Sequence, residues 1–340
     1  MRSDEDERYL QALGEAASGL VIYDARPYLN AHANRATGGG VENKGNYDNI
    51  SVTFLNIENI HAMRNSWNTL QSTNAQADSK YLTLVENSNW LNHVSIVLSG
   101  AKSIAERLAS GRSVLIHCSD GWDRTAQLCS LTQVFMDSYY LTIRGLAVLI
   151  EKDWVSFGHQ FDKRLGHANP DPHDDQRSPI FIQFLDALRT VISQFPTHFE
   201  FNERLLLDLC YHAHSGRFGT FMGNCERDRY GIDMKTNTTS IWGWILDHTS
   251  DYINPYYQAG MDDPLFPCTS LRRMSVWEGI FGKWHPDCFY PLPGLLSPEH
   301  HRSMLMHNSE QGLRLYKAQL LEKDAEIQRL KQLVDQRRQT

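Results

Sequence analysis

The sequence predicts an α/β fold, and three observations carry that reading. Short runs of β-branched and apolar residues at 20–25 (LVIYDA), 50–57 (ISVTFLNI) and 113–117 (SVLIH) read as strands. Elsewhere apolar residues recur at three- and four-residue steps, the period of a helix face packed on a core. The two patterns alternate through the first half of the chain, as strands connected by helices do.

In chain order, the opening DEDER run is a solvated helix face. The first strand stops at Arg26-Pro27, because proline restricts the residue before it. Asn34 to Gly40 (NRATGGG) forms a flexible loop where backbone approaches a ligand closely. Ser72 to Lys80 reads as another loop, with Asp78 in it. Val94, Val97, Leu98, Ala101, Ile104, Ala105 and Leu108 make an amphipathic helix closed at Ser110-Gly111, and SVLIH follows at once. Beyond a polar loop, Leu128, Leu131, Val134 and Phe135 mark the next helix. The second half is more helical and aromatic, with faces at Ile180 to Ile192 and at Leu205, Leu206 and Leu209. Residues 167–179 form a polar loop, and 250–299, rich in Pro, Tyr, Trp and Gly, read as irregular structure over the core. Leu313, Tyr316, Leu320, Lys323, Ile327, Leu330 and Val334 follow an a/d heptad interrupted by one lysine: a coiled-coil seam, or a terminal helix packed on its own domain.

At 340 residues, 41% hydrophobic and 21% charged, the composition is that of a globular protein with a large core. A net charge of −7 argues against general nucleic-acid binding, which needs a basic footprint. Six scattered cysteines (118, 129, 210, 225, 268, 288) without a CxxC pair make a poor disulfide framework, so a reduced, cytoplasmic protein is expected. No apolar run approaches the ~18 residues that span a bilayer, and the charged start has no signal-peptide pattern. That abrupt start also suits a piece of a longer protein.

The chemistry gathers in VLIHCSDGWDRTAQL, residues 114 to 128. A strand, a short loop and a helix start there wrap backbone N–H groups around one centre, which makes an anion nest. A thiol in that field ionises more readily, so Cys118 suits a thiolate nucleophile. Gly121 permits the turn, and Arg124 offers a bidentate fork to two phosphate oxygens. Thr125 is placed to hydrogen-bond the sulfur and stabilise it as a leaving group. The parts fit a two-step displacement: Cys118 attacks phosphorus, and water hydrolyses the thiophosphate. The bland alternative is a buried structural thiol with Arg124 capping a surface turn.

His117 to Thr125 resembles the signature of the myotubularin family, cysteine-dependent phosphatases that act on phosphoinositides. The likeness extends through YDARPYLNAHANRATGGG (23–40), NIENIHAMR (56–64), DWVSFGHQFDKRLGH (153–167), FNERLLLDLCYHAHSGRFGTFMGNCERDR (201–229) and YPLPGLLSPEHH (290–301). It implies an α/β, protein-tyrosine-phosphatase-like fold with a helical C-terminal extension: a phosphatase domain over 1–300 and a C-terminal helix over 301–340. It also implies metal-free removal of the D3 phosphate from phosphatidylinositol 3-phosphate and phosphatidylinositol 3,5-bisphosphate, without a cofactor, by a peripheral protein of endosomal membranes. The heptads at 313–334 resemble the family's dimerising coiled coil. The alternatives are a protein-tyrosine or dual-specificity phosphatase, or an inactive scaffold of the same family.

Asp123 is the best candidate for the general acid, since the 72–80 stretch lacks the Trp-Pro that flanks the acid in many cysteine phosphatases, and the resemblance also puts the acid in the signature loop. The alternative for Asp123 is a carboxylate that complements the helix dipole. Asp120 reads inositol hydroxyls or braces the loop, and Trp122 packs on the substrate or anchors the loop. Ser119 and Gly121 complete the loop. By resemblance, Arg164 contacts the 5-phosphate or the phosphodiester, and Asn34, Asn59 and Ile60 line the pocket. His117, His159 and His167 read as structural histidines bonded to backbone, Cys129 as core, and no His or Cys spacing suits a metal site.

Overall fold

A computed structural model describes residues 3–16, 19–33, 40–42, 44–47, 50–75, 78–167, 169, 171 and 173–282. Asn34, Cys288, the 301–340 helix and its heptads lie outside the described residues. In order the elements are α1 (Asp4–Ala16), β1 (Leu20–Asp24), α2 (Tyr28–Ala33), β2 (Ile50–Phe54), α3 (Ile60–Gln71), α4 (Asp78–Ser88) and α5 (Trp90–Ala109), followed by β3 (Ser113–His117) and α6 (Arg124–Met136). Then come α7 (Ile143–Ile150), a π-helical turn at Glu151–Ser156, α8 (Phe161–Leu165), α9 (Ile180–Gln194) and α10 (Glu203–Ser215), with short helices up to Phe281.

The strands form one parallel sheet in the order β2-β1-β3, with Asp24 opposite both Phe54 and His117. Parallel strands need crossover connections, and a sheet built that way is covered on both faces. Alternation along β1 assigns the faces. Leu20 and Ile22 pack with Leu10 of α1, while Val21 and Tyr23 join the main core. That core is helical: Val94, Val97, Leu98, Ala101 and Ile104 of α5 pack with Leu128, Leu131, Val134 and Phe135 of α6, and with Phe181, Phe184 and Leu188 of α9.

Hydrogen bonds between neighbouring strand segments continue past the strand ends. Ala25 N–H donates to the His117 carbonyl, Leu55 N–H to Asp24 and Ile57 N–H to Ala25, each at 2.9 Å. Ile57 and Cys118 thus emerge on either side of β1 at the C-terminal edge of the sheet, where open α/β folds bind ligands.

Two expectations change. The stretch read as a loop at 72–80 is a tight 3-10 turn (Ser72–Ala75), with Asp78 opening α4. Polar residues there line an exposed helix start rather than a loop. The 50–57 run stops as a strand at Phe54, because Asn56 turns left-handed at φ 55°. Residues 167–179 are free of helix and strand where described, as expected, and DEDER opens α1.

Candidate active site

The site starts where β3 ends. Cys118 follows His117 directly, and the chain turns through Gly121 at φ 90°, a conformation L side chains resist, before α6 begins at Arg124. The thiol is 8% exposed. Burial pushes it up, but the Thr125 hydroxyl, the Arg124 charge and the N–H groups of Gly121 and Asp120 together hold it below its ordinary value. Gly121 N–H lies 3.3 Å from the sulfur. Thr125 Oγ1 is buried and has no hydrogen-bond partner among the described residues, and its hydroxyl is the first of the groups that lower the Cys118 thiol.

Arg124 is aimed from two sides. One Nη1–H donates to the Ile57 carbonyl at 3.1 Å, and Nη2 donates to Ser119 Oγ at 3.2 Å. Asn59 sits two residues beyond Ile57 as the N-cap of α3, its Oδ1 accepting from His61 N–H and Ala62 N–H at 3.1 Å each. Its exposed amide therefore keeps only Nδ2 for a ligand. Ile60 is half-buried against the core, and its carbonyl accepts from Ser178 Oγ at 2.8 Å. Asp120 is exposed, and among the described residues its carboxylate has no hydrogen-bond partner. Trp122 is half-buried, and its indole Nε1–H has no partner among the described residues.

Asp123 occupies the N-cap position of α6 but does not cap it. Its side chain turns away to Arg164, which donates from Nη2 to Oδ2 at 2.8 Å and from Nε to Oδ1 at 3.1 Å. His159 approaches from a third direction. Its Nδ1 stands 3.1 Å from Asp123 Oδ1 and 2.8 Å from the Trp122 carbonyl. Both partners are acceptors, so Nδ1 carries the proton. Burial alone would raise the Asp123 carboxyl, yet the bonds and charges of His159 and Arg164 bring it down to about 2.

His159 is fixed by aromatic packing, edge-on to Trp154 at 4.8 Å and to Phe161 at 4.8 Å. Trp154 rides on the π-helical turn and is itself pinned by Nε1–H to Ser130 Oγ at 2.9 Å. The sequence expectation for His159 as a histidine bonded to backbone holds, but its second bond, to Asp123, was not foreseen. Arg164, expected to face substrate, is 5% exposed. Its remaining Nη1 is held by the Gln176 carbonyl at 3.1 Å. His117 shares its Nε2 with Glu42 at 3.3 Å, and His167 pairs with Asp162 at 3.3 Å.

Cys129, one helical stretch beyond the loop, is pushed up to about 12, chiefly by burial and next by Asp153. It contrasts with Cys118 and has no thiolate character. No group of three His, Cys, Asp or Glu among the described residues is arranged to hold a metal ion, and no helix among them is long and apolar enough to cross a membrane. The arrangement suits nucleophilic attack by sulfur on an anion held by loop amides and Arg124.

Known proteins resemble this chain over most of its length. The myotubularin-like phosphatase domain family matches residues 1–230. The chain is 46% identical to myotubularin of Xenopus laevis over 292 residues, covering 84% of this chain and 48% of that protein. It is 42% identical to myotubularin of Rattus norvegicus, with the same coverage. Against the phosphatidylinositol-3,5-bisphosphate 3-phosphatase MTMR2 of Gallus gallus it is 41% identical over 341 residues, 96% of this chain and 56% of that protein. The chain spans about half the length of these curated relatives. With a family match over residues 1–230 and relatives at 41–46% identity across most of its length, the chain belongs to the myotubularin-like phosphatase family.

Proposed function

We propose that this chain is a phosphoinositide 3-phosphatase that removes the D3 phosphate of phosphatidylinositol 3-phosphate and phosphatidylinositol 3,5-bisphosphate. The observation that carries the reading is a buried Cys118 held toward thiolate by Thr125, Arg124 and loop amides, at the mouth of an arginine-guarded loop. The substrate class rests on the family resemblance and on the printed activity of the relative from Gallus gallus.

In the first step Cys118 Sγ bonds to phosphorus while the bond from phosphorus to the inositol oxygen breaks. Arg124 and the loop N–H groups stabilise the charge spread over the equatorial oxygens. Asp123 gives its proton to the leaving oxygen. In the second step Asp123, now a carboxylate, takes a proton from water as that water attacks phosphorus. Phosphate departs, and the thiolate and the carboxylic acid are restored. Asp120 and Asn59 Nδ2 read ring hydroxyls, Trp122 and Ile60 wall the ring, and Arg164 meets a second anionic group. Asn34 is assigned to the substrate by the family resemblance alone. No step calls for a metal or cofactor.

The wider reading follows the same resemblance. The fold is that of the cysteine-dependent, protein-tyrosine-phosphatase-like enzymes, with a phosphatase domain to about residue 300 and a terminal helix whose heptads at 313–334 pair with a second family member. The protein works at the surface of endosomal membranes. Phosphate release across the full set of phosphoinositides and a phosphotyrosine peptide tests the central claim. Release from the 3-phosphorylated lipids, abolished by Cys118→Ser, is expected. Faster turnover of the peptide than of either lipid would overturn it.

A further inference from the structure

The resting geometry conflicts with the acid role unless something changes on binding. Arg164 holds both carboxyl oxygens of Asp123, and the pair is almost dry, 5% and 7% exposed. A carboxylate so held has no proton to give. Water cannot take Arg164's place, because parting a buried ion pair leaves two uncompensated charges. Only another anion can receive the guanidinium without that cost.

We propose that Arg164 is a substrate-operated lock on Asp123: a second anionic group on the inositol ring draws the guanidinium away and frees Asp123 to carry the proton for the leaving oxygen. The inference rests on the phosphoinositide reading above and adds to it a reason for specificity. A second anion on the substrate arms the chemistry as well as strengthening binding. His159 makes the exchange possible. Its Nδ1–H holds Asp123 Oδ1 and the Trp122 carbonyl together, and its ring is clamped by Trp154 and Phe161, so the carboxyl keeps its place when Arg164 leaves. Arg164 stays anchored by Nη1 to the Gln176 carbonyl while its Nε–Nη2 edge changes partner.

The test compares two soluble probes that share one leaving oxygen, inositol 3-phosphate and inositol 1,3-bisphosphate. In the otherwise native chain, Asp123→Asn should lower kcat on the bisphosphate at least about tenfold more than on the monophosphate. With Arg164→Ala in the background the two losses should agree within about threefold, since Asp123 is then unlocked for both. Equal losses with Arg164 in place would overturn the lock. Should Arg164→Ala fail to fold, the Asp123 carboxyl carbon signal decides instead, read by NMR in Cys118→Ser protein at neutral pH and assigned by its loss in Asp123→Asn. It should move to the protonated position with the bisphosphate and not with the monophosphate; an ionised signal with both overturns the proposal. If the native chain releases no Cys118-dependent phosphate from either probe, the functional reading fails, and the carbon signal still judges the lock by itself.

Discussion

Arg124 donates to the carbonyl oxygen of Ile57, 3.1 Å away and 67 residues upstream, so its guanidinium fork is aimed by the loop that follows β2. Lysine keeps the charge but cannot reach Ile57, Ser119 and two phosphate oxygens at once. Arg124→Lys should therefore lower kcat by about 10²–10³ with the thiolate intact. Steady-state phosphate release, with Cys118 alkylation as the control for a folded site, checks it.

Cys118 sits below the ordinary thiol value partly through the Thr125 hydroxyl. Removing that hydroxyl removes a contribution that favours the charged form. The pH midpoint for iodoacetamide labelling of Cys118 should accordingly rise in Thr125→Val, and the acid limb of kcat/KM should move up with it. An unmoved midpoint would assign Thr125 to packing. Cys129, near 12, should stay unlabelled at neutral pH in the folded protein.

Asp123 is depressed to about 2 in the folded chain, below its ordinary value of 3.8. The carboxylate therefore stabilises the fold fully above about pH 4, and that stabilisation disappears as the pH falls toward about 2. The amount is roughly 2 kcal/mol. Unfolding free energies of the native chain and Asp123→Asn should differ most at neutral pH and converge through that window. A constant gap down to the acid end would show that the ion pair adds nothing to stability.

Gly145, near the start of α7, leaves no room for a side chain. A Cβ there would lie 1.8 Å from the Tyr139 carbonyl oxygen, a backbone atom already bonded by Thr142. Gly145→Ala should cost about 2 kcal/mol or more. Urea unfolding measures it, and a change below about 0.5 kcal/mol would show that the turn gives way easily.

The strand at 113–117 was legible to the residue because Ser110-Gly111 bounds it on one side and the polar loop on the other. The strand expected at 50–57 ends earlier, at Phe54, although Leu55 and Ile57 still bond to Asp24 and Ala25 at the end of β1, because Asn56 has left the extended region. The signature loop could be read because its parts are contiguous. Its supports could not. Trp122 with His159, Asp123 with Arg164 and Arg124 with Ile57 are joined across 37, 41 and 67 residues, and no local pattern announces such pairs. A buried histidine that steadies a carboxylate looks in sequence like one that fills a core.

The spacing of those supports sets a timetable during synthesis. Translation delivers Ile57 and the 118–125 loop before His159, Arg164 and Gln176 exist. The loop that carries Cys118 therefore leaves the ribosome before the groups that brace it, at the stage where N-terminal parts begin to fold on their own. Of the groups that surround the sulfur in the finished fold, Asp120, Gly121, Arg124 and Thr125 come off with the loop itself. Asp123 is therefore made well before either His159 or Arg164, the two side chains that hold it in the finished fold.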